Sequence, residues 1–297
     1  MKYVINCIII LIITLFKIYK DRGKYILNRD ICKRTELLQK IKEFRLFDDD
    51  FMSRVFDNNI ECTELILRII LNNQDIKVKK VCTQSEIKNL FGRSVRLDIY
   101  ATDKDNKPVD IEIQRSDKGA GVKRARYNSS MIDANTLVKG GNFDTLPESF
   151  IIFITENDVM GANLPIYHAD RIISETGKPL GDGTHIVYIN GAYRDESPIG
   201  KLMHDFSCKD PSDMYYKPLA EQVRYFKEDV KGVEDMCRIV EDIVEKEKRE
   251  EKIEMIARMK RVGKLSFDEI SEITGFTVEE IEAIKAADGE QDLTTDN

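Results

Sequence analysis

The chain has 297 residues, 42% of them hydrophobic and 33% charged, with a net charge of −7. That composition supports a folded core, in one sizeable α/β domain with an appendage or in two small domains, and sets disorder aside. It excludes a surface coated with positive charge, so any nucleic-acid contact must come from a local basic patch. Six cysteines without a CxxC pair and three histidines give no zinc-ligand spacing. Scattered single cysteines fit a reducing, cytoplasmic compartment, where they act as small apolar residues.

Residues 1–30 form an apolar and then basic extension. The segment 3–16 (YVINCIIILIITLF) carries no charge, yet it is shorter than the roughly 20 residues that span a bilayer. Lys17, Lys20, Arg22 and Lys24 follow it, with no small-residue cleavage site. The segment fits either a short membrane anchor, with the downstream domain cytoplasmic, or an incidental extension.

An α/β domain is expected over 31–210. Residues 33–56 read as a helix with a polar break at Asp48–Asp50. In 61–71 the apolar stripe of Cys62, Leu65, Ile66, Ile69 and Ile70 predicts a second helix. Ile76–Cys82, Ser94–Ala101 and Val109–Gln114 are expected strands. The last two alternate strictly, so Asp98 shares a face with Arg96 and Tyr100, and Asp110, Glu112 and Gln114 share another. TDKDNKP between them is a dense turn signal. A helix is expected after Gly119–Gly121, strands over 147–155 and 184–191, and mostly helix over 196–240. Residues 211–262 read as a charged helical region, 263–285 as a small helix-turn-helix element and 286–297 as a disordered tail. In the helix-turn-helix, Ser266 with Glu269 and Thr277 with Glu280 spell capping boxes, and Gly275 marks a helix stop. Its second helix is acidic, which suits packing or protein interaction better than a DNA groove.

Acidic residues inside strands need a physical reason, because Asp is a poor strand former and costly to bury. A turn centred near Asp105 puts Asp98 directly opposite Glu112, with Cβ atoms about 4.5–5.5 Å apart. Like charges at that separation repel unless a cation lies between them, and paired carboxylates suit a hard divalent ion. The competing reading is a solvated hairpin face neutralised by Arg96 and Arg115. Between 115 and 126 the basic residues Arg115, Lys118, Lys123, Arg124 and Arg126 stand against Asp117 alone. Such a cluster suits phosphate contacts, though a merely soluble basic helix has the same composition.

The run of a Glu64-bearing helix, RLDIY, VDIEIQRSDKG, KRARYNSS and IIFITENDVMG, over roughly 35–245, resembles the PD-(D/E)xK nuclease family transposases, also called recombination-promoting nucleases. The resemblance implies a restriction-endonuclease-like core over 31–210, a mixed central sheet flanked by helices, with a helical C-terminal extension. It implies a DNA endonuclease using Mg²⁺ or Mn²⁺ and tied to recombination by mobile elements. Asp98 and Glu112 match the metal-binding acids, and the Ile113 carbonyl a backbone ligand. Glu64 matches a glutamate that some members add from the first core helix, with Glu61 a close competitor. Gln114 stands where most members carry Lys. It can orient a water but supplies no charge, so the alternative is a weak or inactive DNA-binding protein that keeps the fold. Paired cleavage of duplex DNA would favour a homodimer.

Overall fold

The computed structural model describes the backbone of residues 24–284 except 90, 91 and 116, and side chains from 34 onward except those three, 117 and 118. The apolar segment 3–16, the side chain of Lys118 and the tail 286–297 lie outside the described residues. Among those described, no helix is long and apolar enough to cross a membrane.

The chain divides into two units, 1–236 and 237–297. The first opens with helices α1 (Lys24–Glu43), α2 (Asp49–Phe56) and α3 (Ile60–Ile70). The expected polar break is real: Asp48 takes an extended conformation before α2, and its carboxylate accepts from the Arg45 N–H at 2.7 Å. Strands β1 (Val78–Ile87), β2 (Val95–Asp103) and β3 (Pro108–Gln114) follow as an antiparallel meander. Helix α4 (Val122–Thr136) then leads to β4 (Ser149–Thr155), which lies parallel to β3. Short strands β5 (Ile166–Ala169), β6 (Ile172–Ile173) and β7 (Lys178–Pro179) precede β8 (Thr184–Asn190). The main sheet runs in the order β1-β2-β3-β4-β8-β5.

The change from antiparallel to parallel pairing at β3 is what positions the site. A parallel neighbour needs a crossover, and here α4 supplies it and packs against β4. In register, Asp110 lies beside Ile151 and Glu112 beside Phe153, with Phe153 in turn beside Tyr188. Ile151, Phe153 and Tyr188 bury with Ala125 and Ile132 of α4, and Phe153 stacks on Tyr188 with ring centroids 5.3 Å apart. Elsewhere Phe47 and Phe56 each pack on Phe206, and Phe51 packs on Phe226.

Residues 211–236 belong to the first unit rather than to a separate charged region. Helices α5 (Pro198–Ser207) and α6 (Lys217–Glu228) bury apolar stripes, Leu202, Met203 and Phe206 on one and Leu219, Val223 and Phe226 on the other. Pro218 sits in the first turn of α6, where its missing N–H costs nothing, so it starts a helix instead of breaking one. Lys227 is buried and donates to the carbonyls of Lys42, at 2.9 Å, and Phe44, at 2.6 Å, beside the C-terminus of α1.

Helix α7 (Val230–Val262) is followed by α8 (Phe267–Thr274) and α9 (Val278–Ala283). Within the second unit Ile256, Ile270, Phe276 and Ile281 make a small core. Both capping boxes form, and Gly275 ends α8 at φ 77°, a left-handed conformation that glycine adopts without a Cβ penalty. Lys252 and Lys260 donate to carbonyls near the ends of α8 and α9, and Arg249 pairs with Glu280 at 3.0 Å.

Candidate metal centre

The β2–β3 hairpin sets the geometry. Its turn is held by Asp103, whose carboxylate accepts from the N–H groups of Asp105 and Lys107 at 2.9 and 2.8 Å, and by Asn106 at φ 61°. The resulting register pairs Tyr100 with Asp110 and Ile99 with Ile111. The ladder ends at Ile99 and Ile111, one residue short of Asp98 on β2 and of Glu112 on β3, and Glu112 shares a side of β3 with Asp110.

All three acids are buried. The Ile113 N–H donates to Asp98 Oδ2 at 2.9 Å, and the Gln114 amide donates to the same oxygen at 3.3 Å. Arg124 and Asn128 lie one turn apart on α4, a rise of about 6 Å, which matches the roughly 6.6 Å between alternate residues of a strand. Arg124 pairs with Glu112 Oε2, and Asn128 donates to Asp110 Oδ2 at 3.1 Å. The other oxygens, Glu112 Oε1 and Asp110 Oδ1, are buried without a partner.

Burial raises the pKa of all three carboxyls. Asp98 is pushed up to about 6 against the Ile113 N–H, with the Asp49 charge adding to the rise. Asp110 goes up to about 7, eased by the Asn128 hydrogen bond. Glu112 rises furthest, to about 9, because Asp110 and Asp98 add their charges to burial and Arg124 offsets only part.

Gln114 is fixed from behind by Gly119 in the 3₁₀ turn Asp117–Ala120. A Cβ at Gly119 would overlap the Gln114 amide. The Gly119 carbonyl also accepts from Arg124 at 3.1 Å. One glycine therefore positions both the neutral amide on Asp98 and the guanidinium on Glu112.

Residues 57–194 match the model of the PD-(D/E)XK nuclease family transposases. This segment is similar to that family over a little under half of the chain. No curated protein and no solved structure matches the chain. The six-stranded mixed sheet with flanking helices is consistent with the PD-(D/E)XK fold that the motifs implied.

The β2–β3 hairpin brings together Asp98, Glu112 and Gln114, and adds Asp110, an acid that strand alternation placed with Glu112 and Gln114 without giving it a role. The residue type was the available signal: an acid on a strand buried on both sides. Ile113 meets Asp98 through its N–H. Glu64 is not brought to the centre. It accepts from the Val78 N–H at 2.9 Å and pairs with Arg68. Val78 lies opposite Asp103, five positions from Asp98 along β2, or about 17 Å. Glu61 stays exposed at the start of α3. The helix acid whose charge reaches Asp98 is Asp49, in the first turn of α2. It accepts from Gln84 at 2.7 Å, and Gln84, between the Thr83–Ile99 and Ser85–Leu97 pairs of β1 and β2, has a left-handed φ of 52°.

The basic cluster divides. Arg124 enters the centre, and Lys123 and Arg126 remain exposed. Arg115 leans away to Asp48, at 2.7 Å, and Glu156, at 3.4 Å. Tyr127 is anchored by its hydroxyl to the Arg93 carbonyl at 2.5 Å, a structural use that leaves its ring half-buried. Elsewhere His204, Asp205 and Cys208 have metal-ligand spacing. The Asp205 carboxylate already accepts from the Tyr215 and Tyr216 N–H groups at 2.8 Å each, and burial pushes the Cys208 thiol up to about 11.

Proposed function

We propose that this domain is a divalent-metal-dependent DNA endonuclease that hydrolyses phosphodiester bonds, in a protein of transposition or recombination that works in the cytoplasm. The observation that carries the reading is the pair of partnerless buried oxygens on Glu112 and Asp110, beside Asp98. A buried carboxylate oxygen without a donor is costly, and hard oxygen donors of this kind suit Mg²⁺ or Mn²⁺. Asp98 and Glu112, with the Ile113 carbonyl, would hold the ion. When bound, such an ion polarises the phosphodiester and offsets charge developing in the transition state.

The chain's own groups take the remaining tasks. Gln114, locked by Gly119, orients a water by hydrogen bonding through its amide. Arg124 supplies beside Glu112 the positive charge that Gln114 lacks. Lys123 and Arg126, exposed on the same helix, suit the DNA backbone, and Lys118 and Arg115 extend that basic stretch along the sequence. Two such domains in a homodimer would cut both strands of a duplex.

Plasmid cleavage under metal titration tests the reading. Wild type should nick DNA in Mg²⁺ or Mn²⁺, while Asp98→Ala and Glu112→Ala should not, with unchanged circular dichroism. Metal-dependent cutting that persists in both variants refutes it. The neutral Gln114 favours the second reading, a DNA-binding protein without chemistry; retention of DNA without cleavage by wild type would establish it.

A further inference from the structure

We propose that His204, Asp205 and Cys208 form a zinc site at the C-terminal end of α5, with the His204 imidazole, one Asp205 oxygen and the Cys208 thiolate as ligands. The site is built on other elements than the acidic hairpin and does not depend on the nuclease reading.

Local structure brings the three residues together. His204 and Cys208 are four apart, so they stack on one face of α5 where the helix ends at its Cys208 cap. Neither belongs to a CxxC pair, the spacing that the sequence lacks. One ligand atom from each of the three residues lies within 4.8 Å of the other two. Cys208 Sγ and Asp205 Oδ1 each stand 3.4 Å from the same ring nitrogen, His204 Nδ1. Zinc bonds of about 2.0–2.3 Å at tetrahedral angles set neighbouring ligand atoms roughly 3.3–3.6 Å apart. The two distances therefore match two edges of a zinc tetrahedron. They do not match a nucleophile with its base and orienting acid, which would use opposite nitrogens of the ring. Sγ is also 3.8 Å from Nε2, and a turn of the half-buried ring aims one nitrogen at the ion.

The surroundings hold the ligands. Asp205 is fully buried, and its two oxygens accept from the Tyr215 and Tyr216 N–H groups at 2.8 Å each. A carboxylate oxygen has room for two partners, so each keeps a lone pair for a metal. Fixed donors of this kind orient metal-bound carboxylates. His204 packs edge-on against the Tyr215 ring, with centroids 4.8 Å apart. The last carbonyls of α5 favour a cation at this end of the helix. Asp205 and the Cys208 thiolate supply two negative charges, equal to the charge of the ion. Asp210 and Asp213 add negative charge near Cys208, and Arg194 adds positive charge. Thiolate and imidazole select zinc over Mg²⁺, which prefers oxygen ligands. Binding exchanges the Cys208 thiol proton for the ion, and the proton leaves to solvent. The ion would tie the end of α5 to the chain entering α6 at Tyr216.

The experiment uses the full chain with Co²⁺ as a spectroscopic stand-in for zinc. Wild type should develop a thiolate-to-cobalt charge-transfer band in the near ultraviolet, which carboxylates alone do not produce, and Zn²⁺ should remove it. Cys208→Ser should lose the band. His204→Gln should bind Co²⁺ about tenfold more weakly or worse. Asp205 is left intact, because its oxygens also hold the Tyr215 and Tyr216 N–H groups. A readout on the unmutated chain stands beside the variants: Zn²⁺ should abolish alkylation of Cys208 by iodoacetamide, and Mg²⁺ should not. A wild type without the band, or a band that survives in Cys208→Ser, overturns the proposal. So does an unchanged Co²⁺ affinity in His204→Gln, or alkylation of Cys208 that continues in Zn²⁺.

Discussion

Arg124, from the first turn of α4, closes an ion pair with the fully buried carboxylate of Glu112, although its own side chain is 39% exposed. The pair is thus anchored in the core and open at its rim. Removing the cation leaves Glu112 uncompensated, and Glu112 can answer by taking up a proton. Arg124→Met should therefore destabilise the metal-free protein by about 1–3 kcal/mol at pH 10, above the Glu112 value of about 9, and by less at pH 7. Urea unfolding at the two pH values measures the difference. A loss that does not depend on pH would mean that the side chain acts by packing alone.

Gly119 offers a substitution that separates positioning from folding. The three atoms nearest its added Cβ all belong to the Gln114 side chain, so the fold can accommodate Gly119→Ala by moving that amide off Asp98. Cleavage should fall by about ten- to a hundredfold, with a melting temperature within a few degrees of wild type. Equal cleavage by the variant would show that Gln114 need not be held in place.

The stability of the metal-free protein should depend on pH with an unusual sign. Asp98, Asp110 and Glu112 all have folded-state pKa values raised above the ordinary carboxylate range near 4. The folded protein then binds more protons than the unfolded chain, so stability falls as pH rises. Their contribution is fully present below pH 4 and is lost through the interval from about 6 to about 9, where the three groups titrate. Differential scanning calorimetry in chelator should show a melting temperature that drops between pH 5 and pH 8. Saturating Mn²⁺ should flatten that drop. A rise in chelator over the same range would contradict the raised values.

Lys227 permits a test away from the centre. Its ammonium serves carbonyls of Lys42 and Phe44 together, beside the Phe51 ring. Lys227→Met keeps the stem and removes the donor that the carbonyls of Lys42 and Phe44 share. The expected cost is about 1–3 kcal/mol, read from chemical denaturation, with Mn²⁺ binding unchanged.

Much of the hairpin was legible because its signals are local. Strict alternation in 95–101 and 109–114 gave the faces, and the turn residues gave the register. The capping boxes at Ser266 and Thr277 were equally local. What local pattern misses is partnership across the chain. Glu64 looked suitable on its helix, yet the direction it faces is set by where β1 begins, and there the Val78 N–H takes it. Arg124 and Arg126 are equivalent as letters. Only the path of α4 across the sheet sends Arg124 to Glu112 and leaves Arg126 outside. Strands β5 to β7 were unread because they are short and, at β6 and β7, wholly exposed, with no alternation to detect. Strand β1 runs on to Ile87, past the expected end at Cys82, because its second half is half-buried and polar.

The register of β2 on β3 and the partners on α4 together bear on how the domain folds. Every group of the acidic centre lies in one stretch of chain from Asp98 to Asn128, so its contacts are short in sequence and quick to search. Yet the hairpin alone would set like charges against each other with nothing to relieve them. It becomes favourable when α4 docks with Arg124 and Asn128, or when protons or a cation arrive first. The hairpin and the helix should consequently form as one cooperative step, with refolding of the metal-free chain faster in mild acid than at neutral pH.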